Sequence, residues 1–396
     1  MWRNKNFTML FSGQIISFTG IALFSTSLPF LIIYLDGQAS DISATQSMFI
    51  IPQLFLLLFG GMLVDQLPKK FLIVVINIMR GLALLLITYL ILSGNILIWH
   101  IYLLSFFLGA LNTLYRPTLK AILPSIVDRQ HLVKANSYRS MAQQVLEMVG
   151  PVLAAYLVAT FGIFIAFGMN GLSFLLAAFT FVFISLEKKP QSEFKKTMFL
   201  QFKEGFQILF KHKWLGLSIL IGSIVNIGVA SFDVIILPIY ANEYFNGIES
   251  FGWFLSSMAL GAFLGAWLIS KQSEVSKSFK KYYIFMFSLG LLILFLSFSN
   301  YFLMSLIIMF GIGFSITSFV IIWDSTVQEL IEEEYLGRVT SLQMFGGLLF
   351  LPIGYYIFGF LIEYINIQFA TILSGLIIMS ASLVGILNDK FNRAKH

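Results

Sequence analysis

Twelve runs of about 20 apolar residues or more, each long enough to cross a bilayer core, follow one another along the chain at 8–34, 43–64, 71–93, 97–122, 137–160, 164–186, 214–241, 251–270, 282–298, 302–325, 338–362 and 368–387. Few architectures tolerate that pattern. Hydrocarbon offers no water to exposed backbone N–H and C=O groups, so a spanning segment must close its hydrogen bonds internally, and each run predicts a transmembrane α-helix. Composition agrees, with 58% of the 396 residues hydrophobic and 11% charged, where soluble domains carry about 25% charged residues. The expected protein is an all-α integral membrane protein. It has no cysteine, which removes disulfides, thiolate metal sites and a cysteine nucleophile together, and its four histidines are too scattered for a metal cage. No Gly-x-x-x-x-Gly-Lys-Ser/Thr phosphate loop occurs, so ATP is not the expected fuel. Neither a cofactor nor an enzymatic activity is indicated. The basic start, Met1 to Phe7, leads into a full-length span without a small-residue cleavage site, and reads as a retained first helix rather than a signal peptide.

Lysines and arginines assign the sides of the membrane. Lys69 and Lys70 lie between spans two and three, Arg129 and Lys134 between four and five, and Lys271, Lys277, Lys280 and Lys281 between eight and nine. Both termini are basic, and the central connection holds Lys188, Lys189, Lys195, Lys196, Lys203, Lys211 and Lys213. The six alternate loops contain none. By the positive-inside rule the basic loops and both termini are cytoplasmic, in a multi-pass protein of the cell membrane. The net charge of +6 is then a topology signal, and no nucleic-acid partner is expected.

The central connection separates two sets of six spans that read as copies of one another. An offset of 204 residues places Gly61 on Gly265 and lays Ser125–Ser137 without gaps on Glu329–Ser341, so that Leu132 meets Leu336, Lys134 meets Arg338 and Ser137 meets Ser341. The expected division is a six-helix bundle over 1–187, a cytoplasmic linker over 188–213 and a second bundle over 214–396. Two parallel six-helix halves rocking about a midplane site is a transporter solution to alternating access. Within the linker, Met198, Phe202, Phe206 and Phe210 recur every four residues, which predicts an amphipathic helix on the inner leaflet; a solvated linker is the alternative.

At this point the residues resemble a family. Gly61-x-Leu63-x-Asp65 followed by Lys69 and Lys70, set between spans two and three of twelve, is similar to the signature of the major facilitator superfamily, with Gln66 where the family has arginine and Pro68 displacing a glycine. The fragments 116–127 (RPTLKAILPSIV), 132–137 (LVKANS), 202–209 (FKEGFQIL) and 333–342 (EEYLGRVTSL) resemble the macrolide-efflux type of drug:proton antiporter, a branch that also includes siderophore and metallophore exporters. Gly150-Pro151 with Ala154-Ala155 matches in part the exporter motif of helix five, Leu146 standing where a glycine is expected. The resemblance implies that Asp65 contacts the start of span eleven at Gly337-Arg338 and latches the cytoplasmic side. Independently of the family, small residues at 60 and 61 allow close helix approach, and Asp65 suits a helix N-terminus or a cap. Its repeat partner is Ile269, so any such latch is asymmetric.

Ionisable groups inside spans cost several kcal/mol unless paired or wet, so coupling and recognition are sought there. Glu147 lies about 16 Å into span five at 1.5 Å per residue, one turn before Gly150-Pro151. There it is suited to hold a proton and a cationic substrate alternately; a neutral acid hydrogen-bonded to a neighbour is the alternative. Asp233, in the outer half of span seven, ranks second, with the same duties or a structural one. Arg116, Lys120 and Arg139 cluster near the cytoplasmic ends of spans four and five, and Asp324 takes the repeat position of Lys120. They suit either an inter-half bridge or snorkelling to the headgroups. Gln14, Gln53, Asn112, Gln143, Asn226 and Gln343 are candidate polar cavity residues, while Trp99, Tyr240, Trp253 and Trp323 read as interfacial anchors. Phe167 and Phe174, a pair at helical spacing, carry no separate signal. The expected function is a monomeric, lipid-embedded secondary exporter moving an amphipathic small molecule against protons. A metallophore exporter relying on Arg116, Arg139 or Lys120 is the rival within transport, and a non-transporting membrane receptor is the rival outside it.

Overall fold

The structure, a computed structural model, describes residues 4–127, 131–185, 213–271 and 279–387, with backbone alone at 57–66, 120, 121, 133, 213, 279, 333, 334, 337 and 338. Fourteen α-helices make up these residues: α1 (Lys5–Tyr34), α2 (Ala39–Gln66), α3 (Lys69–Leu92), α4 (Ile98–Ile126), α5 (Leu132–Phe161), α6 (Phe164–Val182) and α7 (Lys213–Ser231). A π-helical turn, Phe232–Ile236, leads into α8 (Leu237–Tyr244), followed by α9 (Ile248–Ser270), α10 (Phe279–Leu296), α11 (Phe302–Leu330), α12 (Glu333–Leu349), α13 (Leu351–Tyr364) and α14 (Ile367–Leu387). With α7 running through the π turn into α8, and α12 abutting α13, these form twelve rods, one for each apolar run. Counting described residues alone, ten of the rods are long and apolar enough by length and composition to cross a membrane; α2 and α10 include side chains outside the described ones. The expected linker helix over 188–213 lies outside the described residues save for its last residue.

Local chemistry fixes the rod ends. Asn4 caps α1, its Oδ1 accepting from the N–H groups of Asn6 and Phe7 at 3.0 and 3.2 Å, which satisfies two of the orphan donors of a helix start. Between α5 and α6 the chain turns over in two residues. Gly162 takes φ +94° there, a conformation that costs glycine little and other residues more, and its N–H closes on the Val158 carbonyl at 2.8 Å.

The described residues gather into two compact units. Residues 4–37 and 48–185 form unit 1; residues 38–47 and those from 213 onward form unit 2. In unit 1, α1 packs on α5 and α6, and α3 packs on α4 and α6. In unit 2 the corresponding rods pair in the same way: α7 with α13 and α14, and α10 with α11 and α14. The duplicated pattern extends to a detail of packing. In α4, a Cβ on Gly109 would run into the Phe49 carbonyl of α2, and in α11 a Cβ on Gly313 would run into the Met258 carbonyl of α9. Gly109 and Gly313 are related by the same offset of 204 residues. Without a hydrophobic driving force between helices in lipid, such close approach is what holds them together. Gly313→Val is therefore expected to destabilise the fold by about 1–3 kcal/mol, read as a lower melting temperature of the detergent-purified protein.

Two expected anchors prove to be packing residues instead. Tyr240 is 3% exposed, and its hydroxyl donates to the Ser299 carbonyl at 2.6 Å. Trp323 is 4% exposed, with its ring 5.4 Å from that of Tyr282. Rings with a polar tip serve equally well at an interface or in a core that offers a partner. Trp99 and Trp253, each 54% exposed, keep the outward placement.

Candidate functional site

In unit 1, four helices bring polar groups to one place. Gln14 of α1 is 1% exposed and accepts, through Oε1, a 2.6 Å hydrogen bond from Nε of Arg139 on α5. Arg139 also donates from Nη1 to Asn136 Oδ1 at 3.2 Å. Tyr115 of α4 interacts with the Gln14 side chain. Above the Tyr115 ring, 4.5 Å from its centroid, lies the guanidinium of Arg80 on α3, which donates from Nη2 to Asn112 Oδ1 at 3.3 Å and also lies 5.4 Å from the Phe174 ring of α6. Arg80 is 4% exposed. It sits eleven residues beyond Lys69, about 16 Å along α3 at 1.5 Å per residue, too deep for its side chain to snorkel to a headgroup.

Arg80 and Tyr115 were not singled out by the sequence, although the signal for Arg80 was available. It is a lone cation in the middle of the third apolar run, and ionisable groups at such depth are functional candidates by default. Tyr115 had no signal, being one of 15 tyrosines in an aromatic-rich chain.

Further along α5, Gln143 Nε2 donates to Glu147 Oε1 at 2.7 Å, and both side chains are exposed. With Asn136 and Ser140 they form a polar stripe at intervals of three to four residues, one face of a helix. Polar groups facing lipid would cost several kcal/mol each, so such a stripe suits a side of the helix that meets water. Gly150 brings α5 against α1, an added Cβ falling 2.5 Å from that of Ala22. Pro151 lacks an N–H, and the helical acceptor it cannot satisfy, four residues back, is the carbonyl of Glu147. Gly150-Pro151 thus tightens one face of α5 and leaves a polar group on the turn that carries Glu147.

In unit 2, Asp233 sits in the π turn between α7 and α8, where the Leu237 N–H bonds to the Phe232 carbonyl. Pro238 follows at the start of α8. Its missing N–H and ring disfavour a regular α-helical ladder through the preceding turn, and π turns are frequent at functional sites. Asp233 Oδ1 is buried and meets no hydrogen-bond partner among the described residues. Asn226 of α7 donates from Nδ2 to the Gly347 carbonyl of α12 at 2.7 Å, tying the two helices. A cavity of ≈ 550 Å³ lies between α11 and α12, lined by Asp324, Gln328, Thr340, Gln343 and Met344 among others.

The other expected residues are placed as follows. Gln53 is half-buried and bonds its own helix, Nε2 to the Phe49 carbonyl at 3.0 Å. Arg116 is exposed, and Lys69 and Lys70 are half-buried at the start of α3. Gly61 and Asp65 lie in the last turns of α2, and Gly337 and Arg338 in the first turns of α12, but these four side chains and that of Lys120 lie outside the described ones. Among the described residues no group of three or more His, Cys, Asp or Glu gathers as metal ligands.

This arrangement of repeated bundles with charges at depth has close parallels. The Major Facilitator Superfamily profile matches residues 10–354. The chain belongs to the major facilitator superfamily. Macrolide efflux protein A of Streptococcus pyogenes is 23% identical over 395 residues, 97% of this chain and 95% of that protein. Enterobactin exporter EntS of Salmonella paratyphi A is 23% identical over 265 residues, 66% of this chain and 62% of that protein. Among solved structures, a bacterial homologue of the iron transporter ferroportin in an inward-facing state aligns with a TM-score of 0.73 and 17% identity, over 96% of this chain and 99% of that one. At that identity the structural likeness carries the fold alone. This member of the major facilitator superfamily is thus a multi-pass membrane transporter of small molecules rather than an enzyme.

Proposed function

We propose that this transporter is a secondary active exporter that moves an amphipathic small molecule out of a bacterial cytoplasm by alternating access, in exchange for protons. The observation that carries the reading is Asp233: a carboxyl inside a span, in a π turn, with one buried oxygen lacking a partner among the described residues. Burying a carboxylate without compensation costs several kcal/mol, which a merely structural residue would not sustain. Glu147, exposed on the polar stripe of α5, is the second carboxyl suited to exchange a proton with the aqueous side. The direction, outward, is supported by the names of two relatives, a macrolide efflux protein and an enterobactin exporter. The loop charges support a cell-membrane protein with both termini cytoplasmic, and the halves 1–187 and 214–396, joined by the linker 188–213, are the units proposed to rock. The working form is the monomer.

Reconstitution into proteoliposomes with a pH dye inside provides the test. A panel containing a macrolide, a fluorescent lipophilic cation and a catecholate siderophore is expected to include at least one compound that moves protons in the opposite direction to its own flux. Absence of substrate-dependent proton movement across the whole panel sinks the proposal and favours a receptor. In the same assay Glu147→Gln is expected to shift the pH dependence of efflux; an unchanged profile assigns Glu147 a structural role.

Export of a siderophore or another metallophore is a second reading. It is supported by the two guanidinium groups of unit 1 and by the relationship to an enterobactin exporter.

A further inference from the structure

The polar cluster of unit 1 holds more donors than acceptors. A guanidinium carries five N–H donors and no acceptor. Arg80 places one of them on Asn112 and covers its faces with the Tyr115 and Phe174 rings, and Arg139 places two on Gln14 and Asn136. Every one of these partners is neutral. Because Gln14 Oε1 accepts from Arg139, its amide orientation is fixed and Nε2 must donate, yet Nε2 is buried and makes no hydrogen bond of good geometry among the described residues, with Tyr115 the neutral side chain that interacts with the amide. Helices α1, α3, α4, α5 and α6 contain a single acid, Glu147. It is eight residues from Arg139 on the same helix, about 12 Å along the axis, and its Oε1 is engaged by Gln143.

Two cations and an amide donor, inside spans and with no carboxylate partner among the described residues, are suited to receive negative charge. We propose that Arg80, Arg139 and Gln14 form a subsite for an anionic group of the transported molecule, a carboxylate or another oxyanion, so that the substrate is an amphipathic organic acid or zwitterion rather than a simple lipophilic cation. The inference rests on the transporter reading and narrows its substrate class. Arginine is suited to the task because its planar fork matches two oxygens at once, and the Tyr115 ring beneath Arg80 holds the fork without neutralising it. A lipid headgroup is a poorer occupant. Its phosphate stays at the membrane surface, whereas Arg80 lies about 16 Å along its helix.

An equilibrium binding measurement tests this with the full chain in nanodiscs of zwitterionic lipid and without any proton gradient. The probe is radiolabelled 2-naphthoate, with 2-naphthylmethanol and 2-naphthylmethylammonium as neutral and cationic competitors carrying the same ring. Naphthoate is expected to bind saturably and at least about tenfold more tightly than the alcohol, a difference of roughly 1.4 kcal/mol. Arg80→Gln and Arg139→Gln should each remove that preference, and Arg80→Lys should keep part of it. Equal affinities, tightest binding of the ammonium, no saturable naphthoate binding, or a preference that survives both glutamine variants overturns the proposal. Arg139 is half-exposed, so Arg139→Gln keeps the test decisive if Arg80→Gln fails to fold. Proton coupling is not measured here, and a failed flux assay leaves this result standing, as a failed binding assay leaves the flux result.

Discussion

Asp233→Asn abolishes substrate-dependent proton movement in proteoliposomes, bringing it to the protein-free background, while the protein still folds and still binds naphthoate. Asparagine has the size and most of the hydrogen-bonding capacity of aspartate but cannot take up and release a proton. Oδ1 of Asp233 is buried without a partner among the described residues, so the native residue carries a desolvation cost that the amide, being neutral, does not. The melting temperature is accordingly expected to be maintained or raised. A purely structural Asp233 predicts the reverse pattern, with a lower melting temperature and proton movement retained. Such an outcome would remove the main support for antiport.

Arg80→Met separates stability from function in unit 1. A guanidinium at that depth, held by one neutral hydrogen bond and two ring faces, recovers about 0.5–2 kcal/mol from each ring against a burial cost of several kcal/mol. Methionine fills much of the same volume and its sulfur packs well on aromatic rings, here those of Tyr115 and Phe174. Thermal unfolding should therefore be unchanged or shifted up, by the equivalent of about 1–4 kcal/mol. Transport of an anionic substrate should be lost. If Arg80 were a packing residue whose charge is incidental, transport would survive with the raised stability. If Arg80 were needed to hold α3 to α4 and α6, the melting temperature would fall sharply.

The helical rods coincide with the apolar runs because both follow from one free-energy term, the cost of exposing backbone polar groups to hydrocarbon. The repeat was likewise legible. Gly109 and Gly313, which the same offset of 204 residues relates, make the same backbone approach in the two units. The candidate site was legible in part. Glu147, Gln143, Asn112, Gln14 and Arg139 were marked by being polar within spans, and the structure places Gln14 with Arg139 and Gln143 with Glu147. Asn112 acquires its meaning only from Arg80, which reaches it from another helix 32 residues earlier. Phe174 had no distinguishing mark among 43 phenylalanines, and its place beside a guanidinium is a consequence of α6 packing on α3. Tyr240 and Trp323 show the opposite failure, since nearness to a span end suggested an interface and tertiary contacts placed them in the core.

The sequence by itself determined that the chain spans the membrane, how many apolar runs it has and about where each lies, which loops are basic, and that two halves repeat. Those properties depend on hydropathy, length and charge, which are read residue by residue. The break at Phe350 and the π turn at Phe232–Ile236 came from the structure. Which polar groups converge was decided only by the tertiary structure. A helix that is apolar nearly all round carries no stripe to say which face turns inward, and a rotation of a few tens of degrees about its axis exchanges one set of neighbours for another. Close glycine contacts and the partners available to buried donors fix that rotation. They place Arg80 over Tyr115 and, among the described residues, leave Nε2 of Gln14 and Oδ1 of Asp233 in its π turn without a hydrogen bond.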